Sequence, residues 1–200
     1  NCCRQEPRRS PAVFTMPRSP SPARIMFMLI NAYGMFWRAD EVDWNAGHGS
    51  RNFRFLGRNG KNLPKLRVVD FRNARGVYVL HDDYGVYYVG LADATRGIGG
   101  RLREHRSDRH RGKWHRFSWF AFDRVLKSHE PRTGLMTLKP TPTTAPLGKS
   151  ALIRDLESVL IKLTDAKGNV QDGHFNRADQ WNKVTLDDVE KYMKKICPKK

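Results

Sequence analysis

Two β-rich runs separated by a short turn are the feature that most constrains the fold of this chain. Residues 77–80 and 86–89 consist mostly of valine and tyrosine, and the five residues between them include two aspartates and a glycine. Runs of this composition on both sides of such a turn predict an antiparallel hairpin. Because side chains alternate across a strand, we expect Tyr87 and Tyr88 to lie on opposite faces of it.

The rest of the chain divides by composition and periodicity. The elements predicted after the hairpin are a short helix at about residues 99–109, a strand at the aromatic run 117–122, a helix at about 150–163 and a last helix from Thr185. The predicted divisions are a disordered tail rich in Pro, Arg and Ser at 1–24, an N-terminal extension packed on the core at 25–75, and a main domain at 76–200 that contains a Pro/Thr-rich loop at 130–148.

The charge balance indicates the class of partner. The chain has 37 Lys and Arg residues against 20 Asp and Glu residues, which gives a net charge of +17. Such a surplus attracts polyanions, and nucleic acid is the leading partner. A basic surface without chemistry is the alternative, and charge alone does not separate the two.

Hydropathy and cysteine usage bound the location. The longest apolar run, near residues 25–30, is too short to span a membrane, so no membrane partner is expected. The three cysteines have neither a repeated metal-ligand spacing nor an even disulfide framework. We therefore predict a cytoplasmic protein without structural disulfides. Nothing in the sequence identifies a protein partner.

An ordered set of motifs runs through the second half of the chain. Its members are Gly76-Val77-Tyr78 and Tyr88-Val89-Gly90 on the predicted hairpin, Arg101-Leu102 and His105 on the next helix, Glu157 on a later helix, and Asn176 beyond it. In this order they resemble the signature of the GIY-YIG nuclease family, with Val in place of Ile in both triplets. The resemblance covers about half of the chain.

The resemblance implies both a fold and a chemistry. The implied fold is an α/β (α+β) domain with a small three-stranded antiparallel sheet flanked by helices, here with an N-terminal extension. The implied activity is metal-dependent endonuclease cleavage of DNA, a phosphodiester hydrolysis with Mg²⁺ (or Mn²⁺) as cofactor. The implied catalytic residues are Tyr78, Tyr88, Arg101, His105, Glu157 and Asn176, with Glu157 as the metal ligand.

The residue types suit that chemistry. Arg101 and His105 are spaced i, i+4 and therefore share one helical face, where an arginine can brace a phosphate with its planar fork. From the resemblance, Tyr78 activates the water, while Tyr88 positions the phosphate or the water. Glu157 lies at the rim of an apolar stripe, where a carboxylate can hold Mg²⁺. The alternatives are a solvated basic helix around Arg101 and an ordinary surface glutamate paired with a neighbouring cation.

A dense basic run follows the arginine motif. Its predicted DNA-binding members are Arg103, Arg106, Arg109, Arg111, Lys113 and Arg116. We expect them to contact phosphates, because nothing in this segment defines a base-reading helix. His105, His110 and His115 raise the possibility of zinc, but a spacing of five does not place them on one helical face, and we rank zinc below DNA contacts.

One departure from the family pattern keeps another interpretation of the arginine motif open. Arg101 lies eleven positions after Gly90, farther than is common in the family, so Arg96 is a minor rival for the arginine role. The leading interpretation is a metal-dependent DNA endonuclease. The alternatives are a noncatalytic DNA-binding module of the same fold and a nuclease subunit of a repair or defence assembly.

Overall fold

The computed structural model describes residues 29–45, 53–142, 149–164, 174–175 and 178–197, so the expected tail at 1–24 lies outside it. The strands are β1 (Ala32–Arg38), β2 (Leu56–Asn59), β3 (Arg67–Asp70), β4 (Gly76–His81), β5 (Val86–Ala92), β6 (Arg116–Ala121), β7 (Arg124–His129), β8 (Met136–Lys139), β9 (Asp179–Gln180) and β10 (Asn182–Lys183). The helices are α1 (Gly97–Glu104), α2 (Lys149–Thr164) and α3 (Val189–Ile196), and α3 is preceded by a 3₁₀ turn at Leu186–Asp188.

The first sheet has the strand order β5-β4-β6-β1-β9. All neighbours in it are antiparallel except β1 and β9. The predicted hairpin is confirmed as β4 and β5, with Tyr78 opposite Gly90. A bulge interrupts the pairing between Leu80 and His81, so that Leu80 faces Tyr88 and His81 faces Val86. Tyr87 is the extra residue of this bulge.

The second sheet has the strand order β10-β2-β3-β8-β7, and β3 and β8 are its parallel pair. The chain passes from the first sheet to the second between β9 and β10, at Trp181, whose side chain is buried. This residue contacts Phe71, which directly follows β3 of the second sheet, edge to face with ring centroids 5.2 Å apart.

The fold class expected from the sequence is wrong. The described residues form two five-stranded mixed sheets with three short helices, and not a small three-stranded sheet flanked by helices. The strands β1, β2 and β3 come from the segment interpreted as an extension, and β8 comes from the segment interpreted as a loop. Their partners lie far away in sequence, and local composition does not encode such pairings.

The two sheets enclose the main core between them. Trp119 of β6 packs on Phe71 at 4.4 Å between ring centroids, and Trp37 of β1 packs on Phe55 at 5.2 Å. Helix α1 belongs to the same core through Ile98, which is fully buried. Because aromatic pairs of this kind add to the free energy of burial, this core fixes the inner face of the first sheet, on which Tyr78 lies.

Helices α2 and α3 cover the outer faces. Val159 and Leu163 of α2 pack against Tyr33 and Phe120 of the first sheet. On the other side of the molecule, α3 packs against the outer face of the second sheet through a separate apolar cluster. The layer order is therefore α2, first sheet, second sheet, α3. One face of the first sheet packs against α2 and the other against the core between the two sheets.

Candidate active site and basic surface

Tyr78 lies at the centre of the candidate site. Its ring is fully buried on the inner face of β4, and its hydroxyl oxygen lies 2.8 Å from Nε2 of His105. Burial raises the pKa of Tyr78 to about 12, although the charge of Arg101 acts in the opposite direction. The phenol therefore carries its proton at neutral pH and is a hydrogen-bond donor to His105.

His105 is held by a carboxylate on its other side. It is the first residue after α1, its ring is 2% exposed, and its Nδ1 lies 2.7 Å from Oδ2 of Asp108. The second oxygen of Asp108 accepts a hydrogen bond from the backbone N–H of His110 at 2.8 Å. Although desolvation acts to raise it, these two hydrogen bonds hold the pKa of Asp108 below its usual value.

These contacts form one chain of hydrogen bonds from Asp108 through His105 to Tyr78. An ionised carboxylate only accepts hydrogen bonds, so Nδ1 of His105 carries a proton towards Asp108. In the neutral ring, Nε2 is then the acceptor that faces the Tyr78 hydroxyl. This tautomer follows from the hydrogen-bond network.

The arginine of the motif lies beside this chain. Arg101 is partly exposed, and its Nη1 lies 2.6 Å from Oε2 of Glu104. Its pKa is raised: desolvation lowers it, but the Tyr78 hydroxyl and Glu104 outweigh desolvation. Arg96 pairs with the same carboxylate oxygen at 3.1 Å, but it is about half exposed. The structure thus brings Arg101, and not its rival, against Tyr78.

Both tyrosines of β5 lie close to the histidines of the site. The Tyr88 ring lies 5.3 Å from that of His105 and 4.6 Å from that of His110. The Tyr87 hydroxyl lies 3.1 Å from Nδ1 of His110. The expectation that Tyr87 points away from Tyr88 is therefore wrong, because the bulge removes one step of the alternation.

Close packing explains why the two triplets contain glycine. A Cβ added to Gly90 would overlap the ring and hydroxyl of Tyr78, and one added to Gly76 would overlap the backbone carbonyl of Phe120. Both strands therefore need a residue without a side chain at these positions. Gly90 in particular leaves the space that the Tyr78 hydroxyl occupies.

Glu157 is not brought to this site. It is exposed on α2, which packs against the outer face of the first sheet through Val159 and Leu163, whereas Tyr78 lies on the inner face. The sheet itself therefore separates Glu157 from Tyr78. Asn176 lies outside the described residues.

The predicted DNA-binding residues lie on α1, on the turns between α1 and β6, and at the first position of β6. Arg103 lies over the ring of Phe53 at 5.2 Å, and Arg106 lies over the ring of Trp44 at 5.0 Å. The other four are exposed: Arg109, Arg111, Lys113 and Arg116. The polar lining of a neighbouring open cleft of about 510 Å³ consists of three arginines, a histidine and two aspartates, namely Arg38, Arg106, Arg116, His115, Asp40 and Asp83.

A group able to hold a metal ion lies next to Tyr78, among the residues that the structure describes. His105, Asp108 and His110 each offer one ligand atom, and these atoms lie within 4.8 Å of one another. The argument from helical spacing does not apply to these histidines, because α1 ends at Glu104. The turns that follow place His110 next to His105. His115 lies elsewhere, with Nε2 3.6 Å from Asp83.

Asp108 and His110 are the site residues that the sequence analysis missed as a group. A local signal was present, since Ser107 and Asp108, two and three residues after His105, are poor helix formers. They indicate that the helix ends there, and an acceptor three residues beyond the histidine is then within reach.

Comparisons with protein-family models, with curated proteins and with solved structures find no match. Within the described parts of the chain, no helix is long and apolar enough to cross a membrane.

Proposed function

We propose that this protein is a metal-dependent DNA endonuclease that hydrolyses phosphodiester bonds, in the manner of the GIY-YIG family that its motifs resemble. The observation that carries the proposal is the chain from Asp108 through His105 to Tyr78, with Arg101 beside the tyrosine hydroxyl. The chain of hydrogen bonds can move a proton, and the arginine can bind a phosphate. Phosphodiester hydrolysis requires both functions, and here they lie side by side.

The proton transfer runs along the chain. A water that attacks the phosphorus gives its proton to the Tyr78 oxygen as the Tyr78 proton passes to Nε2 of His105. His105 becomes an imidazolium whose charge Asp108 stabilises, and Tyr78 ends the step protonated, as it began. This route needs no tyrosinate, which suits a phenol with a pKa of about 12.

Arg101 binds the phosphate. Its guanidinium is partly exposed and can place two N–H donors on the non-bridging oxygens. Charge on those oxygens grows in the transition state, where such donors have their largest effect.

The proposed cofactor is Mg²⁺ or Mn²⁺, which supplies charge neutralisation at the leaving oxygen when it is bound. The donors near Tyr78 fit Mg²⁺ poorly, because Mg²⁺ prefers oxygen ligands and the nearby group offers two imidazoles and one carboxylate. Glu157 offers an oxygen but lies on the other side of the sheet. No step is therefore assigned to an ion held by Glu157.

Cleavage is tested by incubating supercoiled plasmid with the purified protein and Mg²⁺ or Mn²⁺, with and without a chelator. Arg101→Gln is compared with Arg96→Gln, because both arginines contact the same oxygen of Glu104. We expect cleavage that the chelator removes, a loss of about 10²–10³-fold for Arg101→Gln, and a much smaller loss for Arg96→Gln, which only leaves the partly exposed Glu104 without its second partner. Equal rates for both variants and the wild type would remove Arg101 from the site.

Binding is tested separately by measuring DNA affinity against salt. Each phosphate contact contributes about 0.9 to the slope of log affinity against log salt. We expect a steep negative slope, reduced by about 2 in the double variant Arg109→Glu, Arg111→Glu. The matched control is Lys127→Glu with Arg132→Glu, which makes the same charge change at exposed positions of the second sheet and its turn. Equal slopes for both double variants would contradict a localised DNA surface.

A noncatalytic DNA-binding module is the second candidate, and the position of Glu157 favours it. If the family chemistry needs that carboxylate beside the tyrosine, this arrangement of the chain does not provide it. Salt-dependent DNA binding without cleavage under Mg²⁺ or Mn²⁺ would establish the module. The cytoplasm remains our predicted location, on cysteine usage alone.

A further inference from the structure

His105, Asp108 and His110 surround a small space at the surface end of the Tyr78 site. The two imidazole rings are nearly perpendicular, with centroids 4.7 Å apart, and both are buried. Asp108 is partly exposed and closes the group from the solvent side, with Oδ2 2.7 Å from Nδ1 of His105. Oδ1 of Asp108 stays with the His110 backbone N–H, while Oδ2 can exchange its contact with Nδ1 of His105 for an ion between the two buried imidazoles.

The donor set is one that zinc prefers. Two imidazole nitrogens and one carboxylate oxygen leave a fourth tetrahedral position for water, which is the pattern of open zinc sites. Mg²⁺ prefers oxygen ligands and keeps most of its waters. The group therefore selects ions of the Zn²⁺ class over Mg²⁺.

The contacts of His110 show how an ion would enter. Its Nδ1 lies 3.1 Å from the Tyr87 hydroxyl, and its Nε2 accepts a hydrogen bond from Nε of Arg109 at 3.2 Å. The exposed side chain of Arg109 can swing into solvent and free Nε2 as a ligand. The cost is one hydrogen bond at the surface.

We propose that His105, Asp108 and His110 form a binding site for a divalent transition-metal ion of the Zn²⁺ class, and that its occupancy switches off the proton chain of Tyr78. The binding site stands on its own geometry, whereas the switch rests on the proposed nuclease function. An ion on Nδ1 of His105 replaces the proton shared with Asp108. The neutral ring then carries its proton on Nε2 and donates to the Tyr78 oxygen, so it can no longer accept a proton from it.

Binding is tested by titrating untagged protein with Zn²⁺ in a calorimeter, with Mg²⁺ as the comparison ion. His110→Phe keeps a ring in the buried position and removes the ligand, and Tyr87→Phe removes only the hydroxyl beside it. All proteins carry Ser at the three cysteines, so that thiols do not bind the ion. Thermal melts show whether each variant is folded.

We expect one Zn²⁺ per chain in the wild type and in Tyr87→Phe, at least tenfold weaker binding in His110→Phe, and no Mg²⁺ binding at the same concentrations. Zn²⁺ should also raise the melting temperature of the wild type, since it binds only the folded chain. Equal Zn²⁺ affinity in folded His110→Phe, or no Zn²⁺ binding by the wild type, would overturn the site. If His110→Phe does not fold, Asp108→Ala takes its place in the titration.

The switch is tested by adding Zn²⁺ to plasmid cleavage supported by Mg²⁺ or Mn²⁺. We expect half-inhibition near the calorimetric dissociation constant for the wild type, and at a concentration at least tenfold higher for His110→Phe. Uninhibited cleavage with Zn²⁺ bound would refute the switch and leave the site intact. If the wild type does not cut with any ion, the proposed function and the switch both fail, and calorimetry alone decides the site.

Discussion

Replacing Asp108 by asparagine perturbs the proton chain and leaves its shape unchanged. One carboxylate oxygen accepts from the His110 amide and the other faces Nδ1 of His105. In Asp108→Asn the amide oxygen stays with the His110 N–H, because the amide NH₂ cannot accept from it. The NH₂ then faces His105 and forces Nδ1 to be the acceptor. The ring proton moves to Nε2, where it meets the Tyr78 hydroxyl and blocks proton transfer.

The two consequences differ enough in size to be told apart. Asp108 is partly exposed, so exchanging one of its hydrogen bonds costs about 1 kcal/mol of unfolding free energy. A domain with about 5–15 kcal/mol of stability stays folded after that loss. Holding the wrong tautomer costs about 10²–10⁴-fold in rate, as in other histidine-based sites, which is about 3–5 kcal/mol in the barrier. Unfolding cannot produce such a loss of rate.

The assay is the initial rate of plasmid nicking, measured beside a thermal melt of the same preparation. Asp82→Asn is the matched control, since Asp82 also has two hydrogen bonds, which it accepts from the backbone N–H groups of Tyr84 and Gly85 at the hairpin turn. We expect Asp82→Asn to cut at nearly the wild-type rate. A folded Asp108→Asn protein that cuts within about threefold of the wild type would refute the proton chain.

Three further predictions follow from buried groups. Tyr78→Phe keeps the ring and removes the hydroxyl, so cleavage should fall by about 10²–10⁴-fold while DNA affinity, measured by titration, stays unchanged. Gly90→Ala pushes against the Tyr78 ring, and denaturant unfolding should show a loss of about 1–3 kcal/mol. The buried amine of Lys183 has a pKa lowered from 10.5 to about 8, chiefly by desolvation, which the ion pair with Glu41 at 3.6 Å only partly offsets. Between those pH values the unfolded chain binds the proton and the folded chain does not, so the free energy of unfolding of the wild type should rise with pH. Measured by denaturant unfolding, this rise should amount to up to about 3 kcal/mol relative to Lys183→Met.

Local patterns predicted the hairpin, one further strand and the helices. The hairpin, the strand of the aromatic run and the three helices are confirmed, although α1 ends at Glu104, earlier than expected, and α3 begins at Val189, later than expected, after a 3₁₀ turn. Each of these elements shows its own periodicity or composition within a few residues. The sheets were not predictable in the same way, because β1 pairs with β6, whose residues lie far from it in sequence, and β3 pairs with β8 in parallel. Such pairings depend on the shared core, and no single segment contains that information.

The residues of the candidate site were likewise predictable where they depend on local structure and not where they depend on long-range packing. Tyr78, Arg101 and His105 meet because they lie on a hairpin and on the helix directly after it, so short-range geometry is enough to bring them together. Glu157 lies on an element whose packing depends on which face of the sheet it covers. An apolar stripe shows that a helix is buried on one side, but not against which surface. Among the predicted site residues that the structure describes, Glu157 is the most distant in sequence, and it is the one that lies apart from the rest.

Charge at the arginine motif links binding to cleavage. Arg101 and Arg96 share one oxygen of Glu104, at 2.6 and 3.1 Å, so these three groups together carry one positive charge. When a phosphate binds Arg101, Glu104 keeps its pair with Arg96, and neither arginine is left without an anion. A phosphate can thus replace the carboxylate at Arg101 without leaving Glu104 unpaired. The basic turn residues can then hold DNA by charge alone, while Arg101 is the cation placed against the proton chain of Tyr78.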